Sequence, residues 1–136
     1  MPETAPFSRV IEANVPAVST AGNDDDTVVA QAPFDCTVTA VEYIPEAAIT
    51  GAATNNRTFS LVNKGQAGSG STTVASLAFD SGAVTASANN EKAITLSVTP
   101  ANLVLAAGDT LLWRSIHIGT GITDPGGLLK VTVSRN

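Results

Sequence analysis

The feature that most constrains the fold is a pair of long alternating stretches in the last third of the chain, at residues 110–118 and 127–135. Successive side chains of a β-strand point to opposite faces of a sheet, so apolar residues at every second position predict a strand with one buried face. The second stretch follows this pattern, whereas the first is apolar on both faces and predicts a central or covered strand. A glycine-rich loop containing Asp124 and Pro125 separates the two, and we expect them to form a hairpin.

Similar patterns recur along the rest of the chain. They predict further strands at residues 7–14, 26–31, 34–45, 57–63, 73–79 and 93–98. Turn residues lie between nearly all of these stretches, and no long window has a convincing helical period. We therefore expect an all-β fold, namely an antiparallel β-sandwich of jelly-roll-like type with about eight short strands.

The first 32 residues differ from the rest of the chain. Prolines at positions 2, 6 and 16 keep this segment extended and disfavour a helix, and an acidic run follows at residues 23–26. We predict an extended N-terminal arm with a first edge strand at residues 1–32, followed by a β-sandwich domain at residues 33–136. The sequence leaves open whether the arm reaches a neighbouring molecule or packs along its own sheet.

The composition favours contact with other proteins. Charged residues make up 14% of the chain, against about 25% in a typical soluble domain, and a surface poor in charge is suited to protein contacts. The net charge is −5 and no basic stripe is present, so we expect no nucleic-acid partner. The sequence has no apolar run long enough to span a membrane and does not begin like a secretory signal, so we expect assembly in the cytoplasm.

The residues that could carry chemistry are few and scattered. His117 is the only histidine, and no serine lies in a nucleophile-elbow motif, so we interpret His117 as a partly buried strand residue. Cys36 alternates with apolar residues as a small buried thiol would. The acidic run at residues 23–26 lacks the spaced ligands of a calcium loop and is interpreted as a solvated loop. We therefore expect no enzymatic activity, no cofactor and no metal site.

Two segments of the chain resemble the capsid decoration, or cement, proteins of tailed bacteriophages. They are PFDCTVTAVEYIPEAAITGAATNNRTFSLVNKGQAGSGS at residues 33–71 and LAAGDTLLWRSIHIGTGITDPGGLLKVTVSR at residues 105–135. The resemblance implies a virion protein that forms a homotrimer, binds the major capsid protein on the outer capsid surface and stabilises the expanded shell. It further implies contacts from the arm and from β-strand residues at a subunit seam. The residues expected at these interfaces are Phe7, Arg9, Val10, Ile11, Leu112, Trp113 and Ile116.

Two other functions remain open at this level. The first is a tail-fibre or receptor-binding β-module that recognises a host-surface glycan, for which we expect exposed loop residues such as Asn55, Asn56 and Arg57 to bind the ligand. The second is a binding domain or enzyme unrelated to viruses, and an enzyme would be expected to depend on His117.

Overall fold

The computed structural model describes residues 7–136, which form eleven β-strands and one short 3₁₀ helix, Pro100–Leu103. The strands are β1 Ser8–Val15, β2 Asp25–Gln31, β3 Cys36–Pro45, β4 Ile49–Thr50, β5 Asn56–Asn63, β6 Thr72–Ala78, β7 Thr85–Ala86, β8 Lys92–Ala93, β9 Val104–Leu105, β10 Thr110–Ile118 and β11 Gly127–Arg135. Most of the predicted stretches therefore coincide with a strand to within about two residues.

Nine of the strands form two antiparallel sheets that pack face to face, and β4 and β7 form a separate two-stranded sheet. The first sheet has the order β1-β11-β3-β8, with β9 also paired to β3, and the second has the order β2-β10-β5-β6. These two orders contain eight strands, namely β1, β2, β3, β5, β6, β8, β10 and β11. When these strands are renumbered 1 to 8 along the chain, the two orders become 1-8-3-6 and 2-7-4-5. This is the strand order of a jelly roll. The predicted all-β, jelly-roll-like sandwich is thus confirmed, and the two-residue strands β4, β7 and β9 are additions to it.

The predicted hairpin between the last two long strands is wrong. β10 pairs with β2 and β5, whereas β11 pairs with β1 and β3, so the two strands lie in opposite sheets. Their connecting loop crosses one end of the sandwich, and their apolar faces meet across the core. An alternating pattern predicts which side chains are buried, but it does not say whether the next strand continues the same sheet or starts the facing one.

The predicted strand at residues 93–98 is also corrected. Only Ala93 belongs to a strand, β8, and the chain then passes along the edge of β6. Backbone hydrogen bonds from Ser76 N to Thr95 O (2.9 Å) and from Ser97 N to Val74 O (2.8 Å) hold it there. Ile94 is buried and Leu96 partly buried, and they close one side of the sandwich without a regular ladder, whereas Val98 is 95% exposed.

The N-terminal segment is part of the sandwich from Ser8 onward. β1 pairs with β11 over its whole length, and β2 pairs with β10. Both are edge strands, one in each sheet, so residues 8–15 and 25–31 pack along the chain's own sheets, which is one of the two alternatives that the sequence left open. The first six residues of the predicted arm lie outside the described residues.

An aromatic cluster occupies the centre of the core. The ring centroids of Tyr43, Phe59 and Trp113 lie 5.1 to 5.7 Å from one another, and Phe79 packs edge-on against Phe59 at 5.5 Å. All four side chains are at most 1% exposed. Aromatic pairs at such distances add to the stability gained from burying their large surfaces. Cys36 is likewise buried and free, as predicted.

Candidate interaction surface

A buried polar network fixes the loops at one end of the sandwich. Arg57, at the start of β5, is 0% exposed and donates hydrogen bonds to the backbone oxygens of Ala21, Asn23 and Ile122. Its Nη1 also donates to Ser115 Oγ at 3.1 Å. Arg57 therefore ties the loop between β1 and β2 and the loop between β10 and β11 to the core.

Asp124 supplies the negative charge of this network. Its Oδ1 accepts hydrogen bonds from Tyr43 OH (2.6 Å) and Gly126 N (2.9 Å), and its Oδ2 accepts one from Ser115 Oγ (2.9 Å). Burial, reinforced by the Asp124 charge, raises the pKa of Tyr43 well above its usual range. Burial lowers the pKa of Arg57, and the nearby Asp124 charge opposes that effect. The polar side chains of this network all have hydrogen-bond partners within the chain, so we interpret the network as stabilising the fold.

His117 lies near the end of β10, partly buried as predicted, and contacts Asp24. Asp24 Oδ1 accepts a hydrogen bond from the His117 backbone N–H at 2.8 Å and lies 2.6 Å from the ring Nδ1. The backbone and ring hydrogen bonds hold the pKa of Asp24 below its ordinary value. Ser115, two positions earlier on the same face, hydrogen-bonds to Arg57 and Asp124 instead. Among residues 7–136, no serine or cysteine side chain hydrogen-bonds to His117.

The three aspartates of the acidic run have separate partners. Asp24 contacts His117, Asp25 accepts a hydrogen bond from Thr27, and Asp26 forms an ion pair with Arg114 at 3.0 Å. Their carboxylates are therefore not arranged around one point. Across residues 7–136, no group of three or more His, Cys, Asp or Glu side chains is placed to hold a metal ion.

Four of the residues predicted at interfaces come together along the β1 edge. Phe7 and Val10 are about half exposed, at 48% and 49%, Arg9 is exposed and Ile11 is partly buried. A shallow groove of about 330 Å³ separates β1 from β2. Its lining includes Arg9, Val10 and Ile11 from β1 and Val29, Ala30 and Gln31 from β2.

The remaining predicted interface residues lie on β10, in the middle of the second sheet. Trp113 is 1% exposed and packs in the aromatic cluster. Its assignment to a seam between subunits is therefore corrected, because it has no surface to offer a partner. Leu112 and Ile116 point to the outer face of this sheet, where Leu112 is buried and Ile116 partly exposed. The two groups of predicted residues thus belong to different surfaces of the molecule.

The outer face of the second sheet is almost without charge. Its outward positions follow from the strand register and include Val28, Thr58, Ser60, Val62, Thr73, Ser76, Ala78, Leu112, Ile116 and Ile118. The charged side chains on these strands' outward positions are Arg114 and Asp26, which pair with each other. Val28, at 64% exposure, and Ile118, at 47%, complete the face. Neither residue was predicted at an interface, although both lie in predicted strands.

The loop residues considered for glycan binding are not on the surface. Asn56 is 4% exposed and Arg57 0%, and Asn56 donates a hydrogen bond to Ala52 O. Asn55 is partly buried and accepts a hydrogen bond from Thr120 N at 2.9 Å. This corrects the expectation that these three residues form an exposed recognition loop, because their side chains hold neighbouring loops together.

Comparison with known proteins does not assign this chain to a family. No protein-family model matches the sequence, and no curated protein matches it. One solved structure, from Desmodium yellow mottle tymovirus, is similar with 12% identity and a TM-score of 0.40 over 99% of this chain and 85% of that one. The fold assignment above rests on strand pairing alone. The described part of the chain contains no helix that is long and apolar enough to cross a membrane.

Proposed function

We propose that the protein is a structural component of a bacteriophage virion, a decoration protein that binds the outer capsid surface as a homotrimer and stabilises the expanded shell. Its partner is the major capsid protein, and it is assembled in the host cytoplasm. The proposal includes the absence of enzymatic activity. Jelly rolls occur in viral capsid proteins, but also in lectins and cupins, so the fold alone does not decide between these functions.

The observation that carries the proposal is the neutral outer face of the second sheet. The chain has a net charge of −5, and the outward positions of this face contain one ion pair, Arg114 with Asp26. Asp24 and Asp25 border the face beside Arg114 and Ile116. The rest of the face consists of small polar and apolar side chains. A protein that lies flat on another protein surface loses least free energy when few charges must be desolvated.

The sequence resemblance supports the same function. Its two segments, residues 33–71 and 105–135, contribute β3, β5, β10 and β11, the central strands of both sheets. They also contribute the loop with Asp124 and the Arg57 side chain that anchors it. The shared motifs therefore correspond to the framework that holds the neutral face in place.

The glycan-binding alternative has less support. The residues named for it, Asn55, Asn56 and Arg57, form hydrogen bonds within the chain and are mostly buried. A sugar platform usually has an exposed aromatic ring. Trp113 and Tyr43 are both in the core, and Phe7, at 48% exposure, packs edge-on against Phe34 with Arg135 over its ring. No specific observation favours this alternative over decoration.

The proposal is tested with expanded heads of the phage that encodes the chain, purified from a strain in which its gene is deleted. The purified protein should co-sediment with these heads and saturate them. Ile118→Lys, which adds a charge to the neutral face, should weaken this binding at least about tenfold, since burying an unpaired charge is unfavourable. Val104→Lys is the matched control, because Val104 is 49% and Ile118 47% exposed and Val104 belongs to the other sheet.

Two results would contradict the proposal. Protein that stays in the supernatant at all concentrations would remove head binding altogether. Equal binding by the Ile118→Lys and Val104→Lys proteins would show that the neutral face is not the contact surface.

A further inference from the structure

The two sides of the sandwich differ in how their strand edges are covered. On one side, the edge of β6 is bridged by residues 94–97, and the first sheet ends in the two-residue strand β8. On the other side lie β1 and β2, with eight and seven residues, and each pairs with a described strand along one edge alone. We call this side, with the groove between β1 and β2, the open side.

The free edge of β1 is a regular template for another strand. Arg135 N donates a hydrogen bond to Phe7 O, so odd-numbered residues of β1 form the hydrogen-bonded pairs with β11. The backbone groups of Ser8, Val10, Glu12 and Asn14 therefore point away from the sheet. Proteins usually protect such edges with charged side chains, above all lysine, with proline or with a bulge. β1 contains no lysine or proline, its charged residues are Arg9 and Glu12, and its register with β11 is unbroken.

The open side is also apolar and poor in charge. Two of the six large apolar side chains that are exposed among the described residues, Phe7 and Val10, are on β1 or directly beside it, and the β2 residues that line the groove are Val29, Ala30 and Gln31. Arg9 and Glu12 on β1 have opposite charges, and Glu12 lies opposite Lys130 of β11. The stretch of β2 that lines the groove has no charged residue. Asp25 and Asp26 at the start of β2 lie outside the groove lining, so the linings of two copies can meet without bringing carboxylates together.

We propose that the open side is the surface through which copies of this chain associate, with β1 of one copy alongside β2 of the next. The two strands follow each other in the chain and lie at edges of opposite sheets, so they run in opposite directions. Rotation about an axis parallel to the strands preserves direction and brings β1 next to β2 of the neighbour in an antiparallel arrangement. Because β1 of one copy meets β2 of the next, the contact joins two different surfaces and is heterologous, and it closes into a ring when successive copies are related by a closed rotation.

The number of copies, three, rests on the proposed function, whereas the edge pairing does not. The resulting ring leaves the neutral face free for the capsid. Self-association and head binding therefore use different surfaces of the chain, and each can fail without the other.

The test is the solution mass of the purified full-length protein, measured by light scattering on a sizing column. The wild-type protein should have three times the 13.7 kDa mass of the chain, and Val10→Lys should have the mass of one chain. Val104→Lys is the matched control, since both valines are 49% exposed, and it should remain associated. Ile118→Lys should also remain associated even where it no longer binds heads, which separates this inference from the proposed function.

A second measurement covers the case in which Val10→Lys does not fold. Amide hydrogen exchange of the wild-type protein should be slow at Val10 and Glu12, because pairing with a neighbour protects amides that are free in a single chain. Fast exchange at both amides in the associated protein would overturn the inference. A wild-type protein that is monomeric at every concentration would overturn it too, as would a Val10→Lys protein that stays associated.

Discussion

At the residue scale, Arg57 is the least expected feature of the molecule. In the sequence it follows two asparagines and resembles an exposed loop residue, yet it is fully buried. Its hydrogen-bond partners include Ala21 O and Ile122 O, which are 36 and 65 positions away in the chain. The local sequence around Arg57 carries no information about such distant partners. The burial of Cys36, by contrast, was predicted from its neighbours because alternation within one strand is enough to place it.

The Asp124 carboxylate should be essential for stability. Replacing it in Asp124→Ala removes the acceptor for Tyr43, Ser115 and Gly126 and leaves Arg57 as a buried charge without its counter-charge. We expect the free energy of unfolding to fall by about 3–5 kcal/mol, measured by denaturant titration. Asp80→Ala, at an exposed aspartate, is the control and should change it by less than about 0.5 kcal/mol. A loss below about 1 kcal/mol for Asp124→Ala would contradict this account of the network.

The contact between Asp24 and His117 should contribute to stability in a pH-dependent way. Hydrogen bonds from His117 hold the pKa of Asp24 below its ordinary value of 3.8. A carboxylate with a lowered pKa in the folded state stabilises that state above its unfolded pKa, and the contribution is lost as the pH falls through the folded pKa. The gap in stability between wild type and Asp24→Asn should therefore shrink as the pH falls below about pH 4.

Its size should stay under about 1 kcal/mol, because both side chains are partly exposed to solvent. Denaturant titrations of the two proteins at a series of pH values measure it. A gap that does not depend on pH would show that the ionised carboxylate is not the group that holds the loop between β1 and β2.

At the element scale, strand positions were predictable and strand partners were not. The bounds of β10 and β11 follow from alternation and from the turns beside them, but their separation into two sheets depends on how the apolar faces close around the core. The stretch from Ile94 to Leu96 has the composition of a strand and serves instead to close the edge of β6. In both cases the missing information lies in distant parts of the chain.

Gly127, at the start of β11, lies too close to β3 for a side chain. A Cβ atom at Gly127 would approach the carbonyl oxygen of Ile44 to 2.1 Å, so Gly127→Ala should push β11 away from β3. We expect a loss of about 1–3 kcal/mol in the free energy of unfolding. Gly82→Ala is the control, since a Cβ there meets no atom within 4 Å. Equal midpoints of unfolding for the two variants would contradict this close approach.

At the scale of the whole molecule, the jelly roll presents two candidate contact surfaces. The sequence predicted contacts with other proteins but not where on the molecule these surfaces lie. Low charge indicated protein contacts, but the register of the strands was needed to show that one sheet face is neutral. The resemblance implied a seam position for Trp113, and the fold places it in the core. The exposed residues Val28 and Ile118 take the role of surface apolar groups instead.

The most direct test of decoration is the temperature at which expanded heads lose their integrity. Heads from the deletion strain are heated with and without saturating protein, and shell disruption is followed by light scattering. A ligand that binds the intact shell alone stabilises it by mass action, so we predict a higher disruption temperature with wild-type protein and no increase with Ile118→Lys. An unchanged disruption temperature at saturating wild-type protein would contradict the central claim that the chain stabilises a capsid.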